Sequence, residues 1–180
     1  MLKDRLPNVW ETKKLTIKDL TEEEIQTVQK LYDQGSFIHQ WDGGNLDKEY
    51  VYRCFTVGDL PPNGNKDQFK IQVIRTKETG LIIGLITTYH GYPMPETFYI
   101  NYLYIVKEYH KQGLGQEVVN ELLNVLKRTK YNEVRANVAI KNWPALRFWT
   151  KLGINTIQGI FGDKEYGVDN YADIKLIKYL

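Results

Sequence analysis

The stretch from Tyr102 to Lys130 constrains the fold of this chain more than any other part of it. Residues 103–106 are apolar and predict the end of a strand, polar residues follow, and Gly113 and Gly115 then precede an amphipathic helix. The first turn of a helix leaves backbone N–H groups unpaired, and the helix dipole adds partial positive charge there. Because glycine has no Cβ, the backbone at such a turn approaches a ligand closely. The stretch therefore predicts an anion site suited to a phosphorylated cofactor.

Two well-known phosphate-binding motifs do not fit this loop. A P-loop places Lys and then Ser or Thr directly after its last glycine, where this chain has Gln116 and Glu117. The dinucleotide-binding fingerprint requires a third glycine three residues after the second, where Val118 stands. The sequence therefore excludes both motifs.

The loop instead resembles a motif of the GNAT superfamily of N-acetyltransferases, enzymes that bind acetyl-coenzyme A (acetyl-CoA). The family's Q/R-x-x-G-x-G/A pattern is similar to residues 110–115, with His110 in place of the usual Gln or Arg. A second family motif, N-x-x-A-x-x-F-Y-x-K-x-G-F, resembles residues 142–154. The matching positions of that motif are Asn142, Ala145, Phe148, Lys151 and Gly153. Two motifs in this order and at this separation are far more specific than either one alone.

The resemblance implies an α/β fold, with helices on both faces of a mixed, mostly antiparallel central sheet of about six to seven strands. A splayed pair of strands in that sheet is expected to hold acetyl-CoA. The sequence patterns agree, predicting strands at 9–17, 69–75, 81–89, 98–106, 133–140, 154–161 and 173–179, and helices at 21–35, 47–58, 143–152 and from 114 onward. No interior segment has the composition of a linker, so residues 1–180 are expected to form a single domain.

The resemblance also implies which residues bind acetyl-CoA. The strand before the loop pairs free backbone groups with the pantetheine arm, the loop holds the pyrophosphate, and the second motif lines the thiol end. In this sequence those residues are Leu103, Tyr104 and Ile105 on the strand; His110, Lys111, Gln112, Gly113, Leu114, Gly115 and Gln116 in the loop; and Asn142 and Phe148 in the second motif. His110 is expected to offer a ring N–H to a phosphate.

Trp149 departs from the family pattern at a position that matters for catalysis. In many relatives a tyrosine there protonates the departing thiolate. An indole N–H donates a hydrogen bond but does not serve as an ordinary acid. Trp149 is therefore expected to stabilise the sulfur without protonating it, during direct attack by an amine in a ternary complex.

The amine must lose a proton before it attacks, and the general base is not evident in the sequence. Some relatives use a glutamate on the strand before the cofactor loop, but residues 99–104 contain no carboxylate. Glu96 lies just before that strand and is the predicted base, acting through a water. Asp42, His90 or a chain of waters that ends in solvent are alternatives.

The acceptor is expected to be a primary amine, most simply a small molecule; an aminoglycoside-like drug or a protein N-terminus remain alternatives. In relatives the segment that joins the first strand to the third forms much of the acceptor wall, and here that segment includes residues 37–45, which combine aromatic side chains with Asp42. Such a segment suits a cationic amine, or it is only a packed surface turn. A different class of function is also open. With Trp149 and no strand carboxylate, the chain is alternatively a weakly active or inactive acyl-CoA-binding regulatory module.

Composition excludes several other classes of function. A net charge of +2 and a pI near 8.4 are too mild to indicate nucleic-acid binding. One cysteine excludes an internal disulfide and suits the cytoplasm, and neither a signal peptide nor a membrane span is evident. His39, His90 and His110 lack the spacing of metal ligands, so no metal is expected. A homodimer is compatible with the sequence.

Overall fold

The structure, a computed structural model, describes residues 5–180. Its strands are β1 Val9–Glu11, β2 Leu15–Asp19, β3 Phe69–Thr76, β4 Ile82–His90, β5 Thr97–Ile105, β6 Glu133–Ala139, β7 Thr156–Gly162 and β8 Ala172–Tyr179. Its α-helices are α1 Ile25–Gln34, α2 His39–Asp42, α3 Tyr50–Thr56, α4 Leu114–Leu126 and α5 Trp143–Lys151. The order of elements confirms the predicted α/β class.

The strands form one sheet in the order β1-β2-β3-β4-β5-β6-β8-β7. Among the strands of residues 5–180, only the β5–β6 pair is parallel, so the sheet is mixed and mostly antiparallel, as predicted. The helices pack around it, and α4 buries an apolar stripe from Leu114 to Leu126.

In the described part of the chain the sheet has eight strands rather than six to seven, because the predicted first strand folds back on itself. Residues 9–17 contain β1 and the start of β2, which pair antiparallel. The hydroxyl of Thr12 closes the turn by accepting from the Leu15 N–H at 2.9 Å. Glu117, on the first turn of α4, accepts from the Lys14 N–H at 2.7 Å. The turn is therefore stabilised by side chains rather than by glycine or proline.

The sheet opens between β5 and β6. Their pairing runs from Thr97 opposite Glu133 to Ile100 opposite Ala136, whereas β5 stays paired with β4 as far as Ile105 opposite Gly84. The β4–β5 register shifts at Asn101, which marks a β-bulge at the point of divergence. Residues 101–105 of β5 thus pair with β4 along one backbone edge and are not paired with β6 along the other. This opening positions the site.

Candidate functional site

A cavity of about 640 Å³ lies where β5 and β6 diverge. It runs between the end of β5, the start of α4, the start of α5 and the segment before α2. Its walls are formed by Phe37, Ile38, Trp41, Leu103, Tyr104, Ile105, Lys107, Tyr109, His110, Lys111, Gly113, Leu114, Gly115, Gln116, Asn142, Pro144, Ala145, Phe148 and Trp149. The structure therefore brings together most of the residues that the two motifs predicted.

The loop before α4 has the backbone geometry of a ligand cradle. Gly113 is the N-cap of α4 with φ +78°, and Lys111 has φ +60°. Both values lie in the left-handed region, which residues with a side chain rarely adopt. A Cβ at Gly113 would meet none of the described atoms within 4 Å, so space lies directly beside this backbone. Lys107 and Lys111 add positive charge to the same wall.

His110 fastens this loop to the strand. Its ring Nε2 donates to the backbone carbonyl of Ile105 at 2.5 Å. In the neutral ring Nδ1 is then an acceptor, so His110 donates to a phosphate only when the imidazole is charged. Gln112 lies outside the cavity wall, since its side chain is exposed and donates to the Glu108 carbonyl at 3.1 Å.

The second motif forms the opposite wall through α5. Asn142 caps this helix, accepting from the Ala145 N–H at 3.1 Å. Phe148 packs against α4 where Gly115 leaves room, because a Cβ there would lie 3.2 Å from the Phe148 ring. Trp149 meets Phe148 edge to face with ring centroids 4.9 Å apart and is only 8% exposed. Within residues 5–180 its indole N–H makes no hydrogen bond.

A second cavity of about 180 Å³ adjoins the first. The two share Ile38, and Tyr102 of the small cavity directly precedes Leu103 of the large one. The small cavity is lined by Tyr32, Gly35, Ile38, His39, Asp42, Tyr50, Asp59, Asn101 and Tyr102. It therefore reaches β5 at the bulge, beside the opened backbone edge.

Three tyrosine rings form one side of this small cavity. Tyr32 stacks on Tyr50 with centroids 4.3 Å apart, and Tyr102 lies 5.5 Å from Tyr32 and 5.8 Å from Tyr50. Burial raises the pKa of Tyr32 to about 12 and the pKa of Tyr102 well above its usual range. These hydroxyl groups therefore stay protonated at neutral pH and do not act as bases.

His39 and Asp42 form a pair on the rim of the small cavity. His39 Nδ1 lies 3.2 Å from Asp42 Oδ1, one helical turn away. The same carboxylate oxygen accepts from the Gly44 N–H at 2.8 Å, which fixes its position. A carboxylate that holds one imidazole nitrogen orients the other for proton transfer.

The structure does not bring Glu96 to either cavity, which corrects its assignment as the base. Glu96 is exposed and precedes β5, whereas the large cavity contacts the far end of that strand at residues 103–105. At the usual rise of about 3.3 Å per strand residue, more than roughly 20 Å separates these positions. A single bridging water does not span such a distance.

His90, an alternative base, is a buried structural residue. Its Nδ1 donates to the Gln68 carbonyl at 2.7 Å, and its Nε2 accepts from the Leu6 N–H at 3.2 Å. Burial lowers its pKa to about 4, because the charged ring would lose solvation. Both ring nitrogens are occupied in the neutral form, and His90 lines neither cavity.

Sequence reasoning missed several wall residues. Lys107 and Tyr109 precede the first motif, and Pro144 occupies a variable position within the second, so the motif positions did not point to them. Phe37 and Trp41 belong to the 37–45 segment that was considered for the acceptor, yet they line the large cavity. His39 was missed as a base; its spacing of three residues from Asp42, in a helical segment, is the signal that would have found it.

Cys54 is a free, buried cysteine, and burial raises the pKa of its thiol to about 12, which makes it unreactive. Across residues 5–180, no three His, Cys, Asp or Glu side chains are grouped so as to hold a metal ion. In the same part of the chain, no helix has the length and apolarity needed to cross a bilayer.

Comparison with known families decides what this arrangement is. The model of the acetyltransferase (GNAT) family matches residues 26–154, a span that includes the opened strand, the loop and all of α5. The chain belongs to the GNAT acetyltransferase family. It is therefore an acyltransferase enzyme by family, and its predicted resemblance is confirmed. No curated protein sequence matches this GNAT chain.

Solved structures of other GNAT proteins share the fold at low sequence identity. A GNAT-family acetyltransferase from Bacillus anthracis superposes with a TM-score of 0.71 at 18% identity, covering 95% of this chain and 98% of that one. A GCN5-related N-acetyltransferase from Brucella melitensis gives 0.75 at 11% identity, covering 99% and 81%. Spermidine N-acetyltransferase from Vibrio cholerae, in complex with CoA and spermine, gives 0.69 at 12% identity, covering 92% and 95%.

Proposed function

We propose that this GNAT protein transfers the acetyl group of acetyl-CoA to a small primary amine, by direct attack within a ternary complex. The large cavity carries the proposal, since it joins a helix N-terminus and two lysines to an opened strand edge. Its volume of about 640 Å³ lies within the range of clefts that hold cofactors. The thioester of bound acetyl-CoA supplies the activated acetyl group.

The walls of the large cavity fit the two ends of acetyl-CoA. The backbone from Gly113 to Gly115 and the ammonium groups of Lys107 and Lys111 suit the pyrophosphate. The backbone edge of β5 from Leu103 to Ile105 suits the amide groups of the pantetheine arm, which need backbone partners, except at the Ile105 carbonyl, which already accepts from His110 Nε2. Asn142 and Phe148 then lie on the side of the thiol end. These residues therefore keep the roles expected from the sequence, whereas Gln112, which lies outside the cavity wall, has no role in binding.

Backbone and side-chain dipoles are proposed to assist the transfer. A backbone N–H near Leu103 or Ile105 stabilises negative charge that develops on the carbonyl oxygen. The indole N–H of Trp149, which makes no hydrogen bond within residues 5–180, is available to the departing sulfur. A hydrogen bond to the thiolate stabilises it without transferring a proton.

His39 is proposed to accept the proton that the amine loses. It lines the small cavity beside the opened edge of β5, and Asp42 holds its Nδ1 at 3.2 Å. Its Nε2 is then the nitrogen that takes the proton. This assignment replaces Glu96, which lies at the other end of β5.

One observation supports an amine as the acceptor, and another supports the cytoplasm as the compartment. The structurally similar spermidine N-acetyltransferase binds spermine, an amine. The one cysteine of this chain, Cys54, is free and needs no oxidising compartment.

The experiment is to measure release of coenzyme A with a thiol-reactive dye, across a panel of small amines, amino acids, aminoglycosides and short peptides. Acetyl-CoA binding is measured in parallel by thermal shift, and the acetylated product is identified by mass spectrometry. Turnover with a small amine, matched by an acetylated product, is the expected result. Tight acetyl-CoA binding with no turnover across the panel would instead support the acyl-CoA-binding regulatory module.

A further inference from the structure

The two adjoining cavities have opposite charge. The large cavity contains Lys107 and Lys111, whereas the small cavity contains Asp42 and Asp59. Arg53 lies 4.0 Å from Asp59, but its main partner is Asp47 at 2.7 Å. The small cavity therefore keeps acidic character, suited to a cation beside a polyanionic cofactor.

We propose that the small cavity is the acceptor site, and that it selects a compact primary amine that carries no carboxylate. The inference rests on the proposed function for the large cavity. It adds the place where the amine binds, the groups that recognise it and the class of amine that is excluded.

The position of the small cavity favours this assignment. Its floor contains Asn101 and Tyr102, at the bulge where β5 leaves β6. The next residue, Leu103, lines the large cavity. A Cβ at Gly35 would lie 3.0 Å from the Tyr102 hydroxyl, so α1 ends close against this floor. An amine held here is adjacent to the strand edge proposed to hold the thioester.

The walls recognise an ammonium group in three ways. The carboxylates of Asp42 and Asp59 attract its charge. The rings of Tyr32, Tyr50 and Tyr102 provide aromatic surface, which favours cations over anions. The amide oxygen of Asn101 is buried without a hydrogen-bond partner among residues 5–180, and an ammonium group is a donor of the kind it lacks.

Size and charge together define the excluded amines. The cavity volume of about 180 Å³ is below the roughly 300–1,000 Å³ of clefts that hold drug-sized ligands. An aminoglycoside or a folded protein terminus is too large to be enclosed by it. An amino acid is small enough, but its carboxylate would lie close to Asp42 and Asp59, and like charges repel.

The test compares two probes that differ only by a carboxylate, 3-methylbutylamine and leucine. Each is titrated by calorimetry into the wild type and into Asp42→Asn, Asp59→Asn and Asp67→Asn. Asp67 is an exposed carboxylate that lines neither cavity, so its variant is the matched control for loss of one charge. Acetyl-CoA is titrated separately into all four proteins.

The expected result is that 3-methylbutylamine binds the wild type at least roughly tenfold more tightly than leucine does. Asp42→Asn and Asp59→Asn each weaken the amine several-fold, while Asp67→Asn leaves its affinity unchanged. Equal affinity for both probes, or an amine affinity that neither cavity variant changes, would overturn the inference. If acetyl-CoA binds and 3-methylbutylamine does not, the acceptor site fails alone; if only the amine binds, the proposed function fails.

Discussion

Gly115 and Phe148 are in direct contact across the site: a Cβ on Gly115 would lie 3.2 Å from Cε2 and 3.4 Å from Cζ of the Phe148 ring. The two residues come from the two separate sequence motifs, one at the start of α4 and one in α5. The second glycine of the loop is thus explained by packing of α5 against α4. The first glycine of the loop, Gly113, has open space where a Cβ would lie, so its role is a different one.

Substituting Gly115→Ala is expected to weaken acetyl-CoA binding while leaving stability nearly unchanged. The new Cβ displaces the half-buried Phe148 ring into the large cavity, and alanine offsets this strain because it favours helix by about 1 kcal/mol over glycine. Calorimetric titration with acetyl-CoA and a thermal melt measure the two effects. A large loss of melting temperature with unchanged affinity would show that the contact serves folding alone.

Gly113→Ala is expected to weaken acetyl-CoA binding by roughly tenfold, or ~1.4 kcal/mol. The alanine Cβ strains the left-handed backbone at φ +78° and occupies the open space proposed for the phosphates. Gly80→Ala is the matched control, since Gly80 has φ +72°, open space and a position in the β3–β4 turn. Equal losses of affinity in the two variants would attribute the effect to strain rather than to the site.

Trp149→Tyr is expected to raise turnover, because a phenol hydroxyl protonates a thiolate and an indole N–H does not. Trp149→Phe is the paired control, which differs from the first variant only by that hydroxyl. Either variant leaves unfilled volume at a buried position, at a cost of order 1–3 kcal/mol of stability. If kcat falls equally in both, the indole has a packing or binding role of its own.

The free energy of unfolding is expected to fall with acidification as His90 is forced to charge. Its pKa is about 4 in the folded protein and about 6.5 when unfolded, so only the unfolded state gains the proton between these values. The contribution is fully present above pH ~6.5 and is lost as the pH falls toward ~4, up to roughly 3 kcal/mol. Urea unfolding across this range measures it, with His90→Gln as reference. Parallel pH profiles for the two proteins would contradict the assignment.

Features of the fold that depend on residues close together in the sequence were predicted from sequence patterns. Asn142 caps α5 because its side chain reaches the Ala145 N–H three residues on, a relationship visible in the sequence. Local spacing likewise predicted the glycines at 113 and 115, the apolar stripe of α4 and the strands on either side of it. These features form the walls of the large cavity, so most of its lining residues could be predicted from the sequence.

The features that the sequence did not predict depend on which residues, far apart in the chain, lie close together in the fold. Glu96 lies next to β5 in the sequence, but it precedes the strand while the cavity is at the other end. The three tyrosines of the small cavity come from α1, α3 and β5, and no spacing relates them. The β1–β2 turn lacks glycine and proline and depends on Glu117 of α4, a contact over 103 residues.

A crystal structure of the protein with acetyl-CoA tests the central claim most directly. The account predicts the pyrophosphate at the backbone of Gly113–Gly115, the pantetheine arm along the free edge of Leu103–Ile105, and the thioester between Trp149 and the small cavity. Acetyl-CoA bound elsewhere, with the opening between β5 and β6 empty, would contradict it.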